Sequence, residues 1–132
     1  MYKGEWLGQD IAIKSFGSHS SNINKRRLAN FVKEIQVNSH LRHPNIVLYM
    51  GVCVDRDNYY MITEYLYEGS LFDHIHTKKT QFSEKQLIDM IEDIALGMVY
   101  LHDRKVLHCD LKSSNILLDD SWNIKLCDFG LS

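Results

Sequence analysis

Between residues 108 and 128 the sequence gathers two carboxylates, an amide and an ammonium around one small space. His108-Cys109-Asp110-Leu111-Lys112-Ser113-Ser114-Asn115 is followed, after one short connection, by Asp128-Phe129-Gly130. The Asp128 carboxylate is a hard oxygen ligand for a Mg2+ ion shared with nucleotide phosphates, and Asn115 supplies a second oxygen. Asp110, five residues before Asn115 on the same loop, is suited to orient an attacking hydroxyl and take its proton late. An ordinary carboxyl of pKa ~3.9 suffices when the transition state is loose. Lys112 has the reach to neutralise charge building on the transferred group, and Lys14 would hold the nonreacting phosphates if Glu34 fixes its ammonium. The chemistry these types and spacings suit is metal-assisted phosphoryl transfer.

Each residue also has a plainer reading. Lys14 and Glu34 fit a surface ion pair worth ~0 to 1 kcal/mol, and Asp128 fits a turn cap. His74 and His76 have a metal-like spacing but no set of cysteine or acidic ligands around them, so both read as helix-surface residues. The Met and Leu residues of the later helix read as core.

The elements that position these groups follow from periodicity. Ile11 to Phe16 is rich in β-formers and follows the polar turn Gly8-Gln9-Asp10, so a strand is expected. Gly17 to Asn24 reads as a loop. From about Lys25 to Leu41, Leu28, Phe31 and Ile35 recur at three and four residues, one stripe of a helix, with Glu34 beside it. Ile46 to Cys53 and Tyr59 to Leu66 flank Asp55-Arg56-Asp57-Asn58, a hairpin signature. After Glu68-Gly69-Ser70 the character turns helical. Ser83 and Gln86 match a capping box, and Leu87, Ile91, Ile94, Met98 and Leu101 form an amphipathic stripe. Ile116 to Leu118 and Ile124 to Cys127 then flank Asp119-Asp120-Ser121 as a second small hairpin.

Composition bounds the function classes. The 132 residues are 45% hydrophobic and 24% charged, which describes a globular chain. The net charge is -2 and the only basic run is Lys25-Arg26-Arg27, so strong attraction to nucleic acid or anionic membrane is not implied. Three cysteines, Cys53, Cys109 and Cys127, fit no paired metal spacing and suggest reduced thiols in a cytoplasmic setting. No apolar run has membrane-spanning length.

Taken in order, these residues resemble the eukaryotic protein kinase family. Ile11-Ala12-Ile13-Lys14 resembles the V-A-I-K strand, Glu34 stands at the partner glutamate, and Asp110, Lys112, Asn115 and Asp128 stand at the catalytic-loop and metal positions. Leu111 to Leu118 and His43-Pro44-Asn45-Ile46-Val47 are similar to the tyrosine-kinase-like group of serine/threonine kinases. Lys112 itself favours Ser/Thr substrates, since tyrosine kinases of the family usually carry Ala or Arg there.

The resemblance implies an α+β fold, with a small lobe of antiparallel sheet and one helix over about residues 1–65. A hinge over 66–70 and the first helical part of a large lobe over 71–132 would follow. It further implies ATP and Mg2+ as cofactors and a protein Ser/Thr hydroxyl as acceptor. Asp110, Lys112 and Asn115 would be catalytic, and Asn115 and Asp128 metal-binding. Lys14, Glu34, Ala12, Thr63 (the gatekeeper), Glu64, Leu66 and Leu117 would meet the nucleotide. Thr63 leads into Glu64-Tyr65-Leu66, whose Glu64 carbonyl and Leu66 amide would face the adenine edge. His108 would pack and hydrogen-bond beneath the loop.

Three features depart from the family pattern. The chain ends two residues after Gly130 and lacks the glycine-rich phosphate loop, with Gly4 and Gly8 expected in the turn after it. An internal piece of a kinase domain is the expectation, with much of the long helix's stripe exposed. Cys109 replaces the usual arginine before the catalytic aspartate, and Asn38 stands where an apolar residue is implied. Besides a kinase, a noncatalytic kinase-like module that binds nucleotide or a protein partner fits the same residues.

Overall fold

Residues 1–18, 24–56 and 58–129 are described by a computed structural model and sort into two units through which the chain threads discontinuously. The first unit takes Met1–Leu41 and Leu48–Tyr65, the second Arg42–Val47 and the residues from Leu66 onward.

In the first unit, strands β1 (Tyr2–Trp6), β2 (Gln9–Ser18), β3 (Tyr49–Asp55) and β4 (Asn58–Glu64) form one antiparallel sheet in the order β1-β2-β4-β3. The opening residues correct the sequence expectation. Gly4 lies inside β1 opposite Ile11, and the turn is made by Leu7 and Gly8, at φ 50° and 78°. A Cβ on Gly4 would stand 2.6 Å from the end of Ile13, so glycine here makes room for a neighbouring strand's side chain. Helix α1 (Asn24–Asn38) is held by Phe31, which is buried with its ring 4.9 Å from Phe16 and 5.1 Å from Tyr59. Of the expected stripe, Leu28 and Ile35 are half-buried. Most of the loop expected over 17–24, and Asp57 of the hairpin turn, lie outside the described residues.

The β3–β4 hairpin forms, but β3 starts three residues later than the apolar run suggested. Ile46 and Val47 are buried in the second unit instead, so that run serves two cores.

The second unit contains β5 (Gly69–Ser70), α2 (Leu71–His76), α3 (Glu84–Asp103), a 3-10 turn (Ser113–Asn115), β6 (Ile116–Leu118) and β7 (Ile124–Leu126), with sheet order β5-β6-β7. The expected box caps α3: the Gln86 amide donates to the Ser83 hydroxyl, and the Ser83 amide to Gln86 Oε1. Periodicity read the helix correctly, and of its expected stripe Leu101 is buried, Ile94 and Met98 are half-buried, and the rest is exposed as expected. Leu87 and Ile91 are 46% and 66% exposed, and the buried positions are Met90, Gly97 and Leu101. The face that packs is the one Gly97 lets approach β7, since contact with a neighbour rather than hydrophobicity alone decides burial.

Strand β7 is clamped along its length. The Leu126 amide donates to the Asn45 carbonyl (2.8 Å), the Val47 amide to the Leu126 carbonyl (3.0 Å), and Asn45 Nδ2 to the Ile124 carbonyl (2.9 Å). Asp93 of α3 accepts from the Ile124 amide at 2.9 Å. A Cβ on Gly97 would lie 2.9 Å from Leu126 Cδ1 and 3.1 Å from the Asn45 carbonyl, and that carbonyl is already committed to Leu126. Gly97→Val is expected to destabilise the fold by about 2 kcal/mol through overpacking, outweighing its better helix propensity. A urea midpoint equal to wild type at unchanged slope would contradict so close an approach.

His74 corrects a second expectation. It is 1% exposed, not a helix-surface residue, with Nδ1 2.8 Å from Thr80 Oγ1 and Nε2 2.9 Å from the Glu68 carbonyl. Its ring packs edge-on against Trp122. His76 is exposed as expected. Among the described residues no helix is long and apolar enough to cross a membrane.

Candidate active site

The proposed site residues form two clusters, one in each unit. In the first, β2 carries Lys14 and α1 carries Glu34, one turn beyond the Phe31 anchor. Lys14 Nζ meets Glu34 Oε1 at 2.7 Å, with the Glu34 side chain 3% exposed and that of Lys14 26%. The pair is therefore a partly buried one, not the surface ion pair that the plainer reading allowed. Asn38, one turn further on, is buried and donates Nδ2 to the Glu34 carbonyl at 2.8 Å, so the polar residue in an expected apolar place finds a local partner.

Ala12 and Thr63 are cross-strand partners of β2 and β4, and Ile11 faces Glu64. The Thr63 hydroxyl donates to the Glu64 carbonyl at 3.3 Å. Glu64 fixes the end of β4: its amide donates to the Leu48 carbonyl (3.0 Å) and its Oε1 accepts from the Leu48 amide (2.8 Å).

In the second unit the loop before β6 brings Asp110, Lys112 and Asn115 together. Lys112 Nζ lies 2.8 Å from Asp110 Oδ2. Buried Asn115 donates Nδ2 to the Asp110 carbonyl (2.9 Å) and to Asp110 Oδ2 (3.0 Å). The Lys112 hydrogen bond, foremost, and that of Asn115 hold the Asp110 carboxyl below its ordinary pKa. Beneath the loop, His108 is buried, its Nδ1 accepts from the Asp110 amide at 3.3 Å, and its ring meets Phe129 edge-on. Burial pushes its pKa down, offset in part by backbone hydrogen bonding and by the Asp110 and Asp128 carboxylates. A neutral His108 accepting at Nδ1 is a support, in line with the packing role expected of it.

Asp128 follows β7 by two residues, at φ 56°, and Cys109 precedes Asp110 at φ 62°. Left-handed backbone at a non-glycine costs roughly 1–2 kcal/mol, and here it falls on both polar motifs. Cys109 is exposed. Leu66 is buried and Leu117 half-buried in β6. Gly130 lies outside the described residues.

The donor set fits a hard cation. With both amide hydrogens of Asn115 committed to Asp110, its side-chain oxygen is the atom left for a metal, and Asp128 adds a carboxylate. No group of three or more His, Cys, Asp or Glu able to hold a metal occurs among the described residues.

Sequence reasoning missed the supports. Cys127 donates its amide to the Asn115 carbonyl at 3.1 Å, tying the loop of Asp110 and Asn115 to the end of β7. Asn45 and Asp93 hold β7 from far along the chain. Asn45 had only its place in His43-Pro44-Asn45 as a signal, and Asp93 none, because its partner is 31 residues away.

A sequence model of the family described as "Protein kinase domain" matches residues 2–132. A probable serine/threonine-protein kinase of Dictyostelium discoideum is 46% identical over 132 residues, covering all of this chain and 14% of the relative. The probable serine/threonine-protein kinase SIS8 of Arabidopsis thaliana is 41% identical over 134 residues, all of this chain and 13% of the relative. The serine/threonine-protein kinase CTR1 of the same plant is 40% identical over 136 residues, all of this chain and 16% of the relative.

Proposed function

The chain belongs to the protein kinase domain family, and on that premise we propose that the full-length protein transfers the γ-phosphoryl of ATP to a serine or threonine hydroxyl of a protein substrate. The observation that carries this reading is the Asp110–Lys112–Asn115 cluster, in which one carboxylate is held by a cation and an amide from its own loop. Asp110 orients the acceptor hydroxyl and takes its proton late, at the carboxylate. Lys112, which favours Ser/Thr, shifts from Asp110 toward the charge on the transferred group.

Asn115 and Asp128 would hold Mg2+, and Lys14, fixed by Glu34, would hold the nonreacting phosphates. When bound, the cation neutralises phosphate charge and aligns the γ-phosphoryl. Ala12, Thr63, Glu64, Leu66 and Leu117 would contact the nucleotide base. Cys109 stands where the family usually has the arginine that would pair with a phosphorylated activation loop, so we propose control by another route. The odd number of cysteines and their lack of paired metal spacing support a reducing, cytoplasmic setting.

Mg2+-dependent ATP binding, measured calorimetrically with Asp128→Ala as control and circular dichroism on both, tests the reading. Binding is expected in wild type and is expected to be lost in the folded variant. A folded wild-type protein that binds no nucleotide would instead support a noncatalytic module.

A further inference from the structure

The row of the first unit's sheet that carries Ala12 and Thr63 also carries a lysine outside the proposed site. Lys3 of β1 stands opposite Ala12 of β2, and Ala12 opposite Thr63 of β4. Directly opposed residues share one face of a sheet. The Lys3 side chain therefore leaves the sheet on the side of two residues proposed to meet the nucleotide base.

From there it runs diagonally. Asp10 precedes Ala12 by two residues in β2, which places it on the same face, and Lys3 Nζ meets Asp10 Oδ2 at 2.7 Å. Glu64 is the cross-strand partner of Ile11, so the residue after it, Tyr65, comes level with Asp10. The Lys3 ammonium lies 4.6 Å from the centre of the Tyr65 ring. One cation thus links β1, β2 and the residue that follows β4.

The contact bears on a particular carbonyl. Glu64 C=O and the Cα of Tyr65 belong to one planar peptide unit, so holding the Tyr65 ring restrains the direction of that oxygen. The opposite side of Glu64 is already tied to Leu48 by its amide and its carboxylate. The Lys3 side chain is 49% exposed, and an ion pair in that setting contributes little. The cation over the phenol face is what gives the ammonium a direction.

We propose that Lys3 is a positioning residue for adenine recognition, holding Tyr65 so that the Glu64 carbonyl points at the exocyclic amino group of the base. The proposal rests on the nucleotide role given to Glu64 above.

The test is calorimetric binding of Mg2+-ATP and Mg2+-inosine triphosphate to the full-length protein. Inosine carries a carbonyl where adenine carries that amino group, so wild type should prefer ATP by at least about tenfold. Lys3→Met should cut this preference about three- to fivefold, the size of one exposed cation–π contact, through weaker ATP binding alone. Inosine triphosphate binding should stay within about twofold. Lys3→Arg and Tyr65→Phe keep a cation and a ring and should keep the preference. Tyr65→Leu should match Lys3→Met, and the double variant should fall no more than about twofold below either, because both remove one contact. Should Lys3→Met unfold, Tyr65→Leu reads the same contact from its other side.

Equal weakening of both nucleotides would reduce Lys3 to a general charge or a prop of the fold and overturn the proposal. So would an unchanged preference in Lys3→Met, or additive losses in the double variant. A folded wild type that binds neither nucleotide would instead sink the kinase reading, and this proposal with it.

Discussion

Asp110→Asn in the full-length protein is expected to lower kcat by about 100- to 10 000-fold, the range for loss of a positioned general base, with KM for ATP little changed. The amide keeps the shape and can still receive the Asn115 Nδ2 hydrogen bond at its oxygen. What it loses is the negative charge that draws Lys112 and the site that takes the hydroxyl proton. Because Asp110 is exposed and its loop is held by Asn115 through the backbone as well, the fold should be unaffected, which circular dichroism would verify.

The pH profile gives a second reading of the same group. A carboxyl held below its ordinary pKa stays ionised as pH falls toward the usual carboxylate range, so Asp110 adds no acid limb near neutrality. A phosphorylation rate undiminished in Asp110→Asn would remove the assignment.

Lys14→Met is expected to cost roughly 100- to 1000-fold in rate, by analogy with removing one charge-stabilising donor. Here stability and catalysis must be separated, because the change also strips Glu34 of a cation at 2.7 Å while its side chain stays 3% exposed. An uncompensated buried charge destabilises by about 3–5 kcal/mol. The double variant Lys14→Met/Glu34→Gln replaces that charge with a neutral amide and should recover much of the melting temperature without recovering the rate. If the rate returned along with stability, the lysine would be a structural residue and not a phosphate holder.

Features written in short stretches of sequence were the legible ones. Asp110 and Asn115 are five residues apart on one loop, and their hydrogen bonds are local consequences of that spacing. The Ser83 box and the periodicity after it defined α3 for the same reason. Burial was not legible wherever it depends on a distant partner. Leu87 and Ile91 stay exposed, as expected of part of that stripe, but nothing in the spacing said that Gly97, with no side chain, marks the packed face, because Leu126 and Asn45 lie against it.

His74 read as surface because nothing near it in sequence announces Trp122, 48 positions on. Ile46 and Val47 looked like the start of a strand because hydrophobicity does not say which core a residue enters. Gly4 looked like a turn because a glycine that clears space for Ile13 is indistinguishable, in one sequence, from a glycine that bends.

Asn45 and Val47, which brace β7 together with Asp93, come from a part of the chain lying between two pieces of the other unit. A covalent cut between Tyr65 and Leu66 would thus not release two self-sufficient halves. The C-terminal piece would depart without Asn45 and Val47, leaving the Leu126 amide and carbonyl and the Ile124 carbonyl bare on a strand whose end carries Asp128. Dissection of this protein must follow its threading rather than its order, and six residues from Arg42 to Val47 are the least dispensable graft for any fragment meant to keep the Asp128 loop in register.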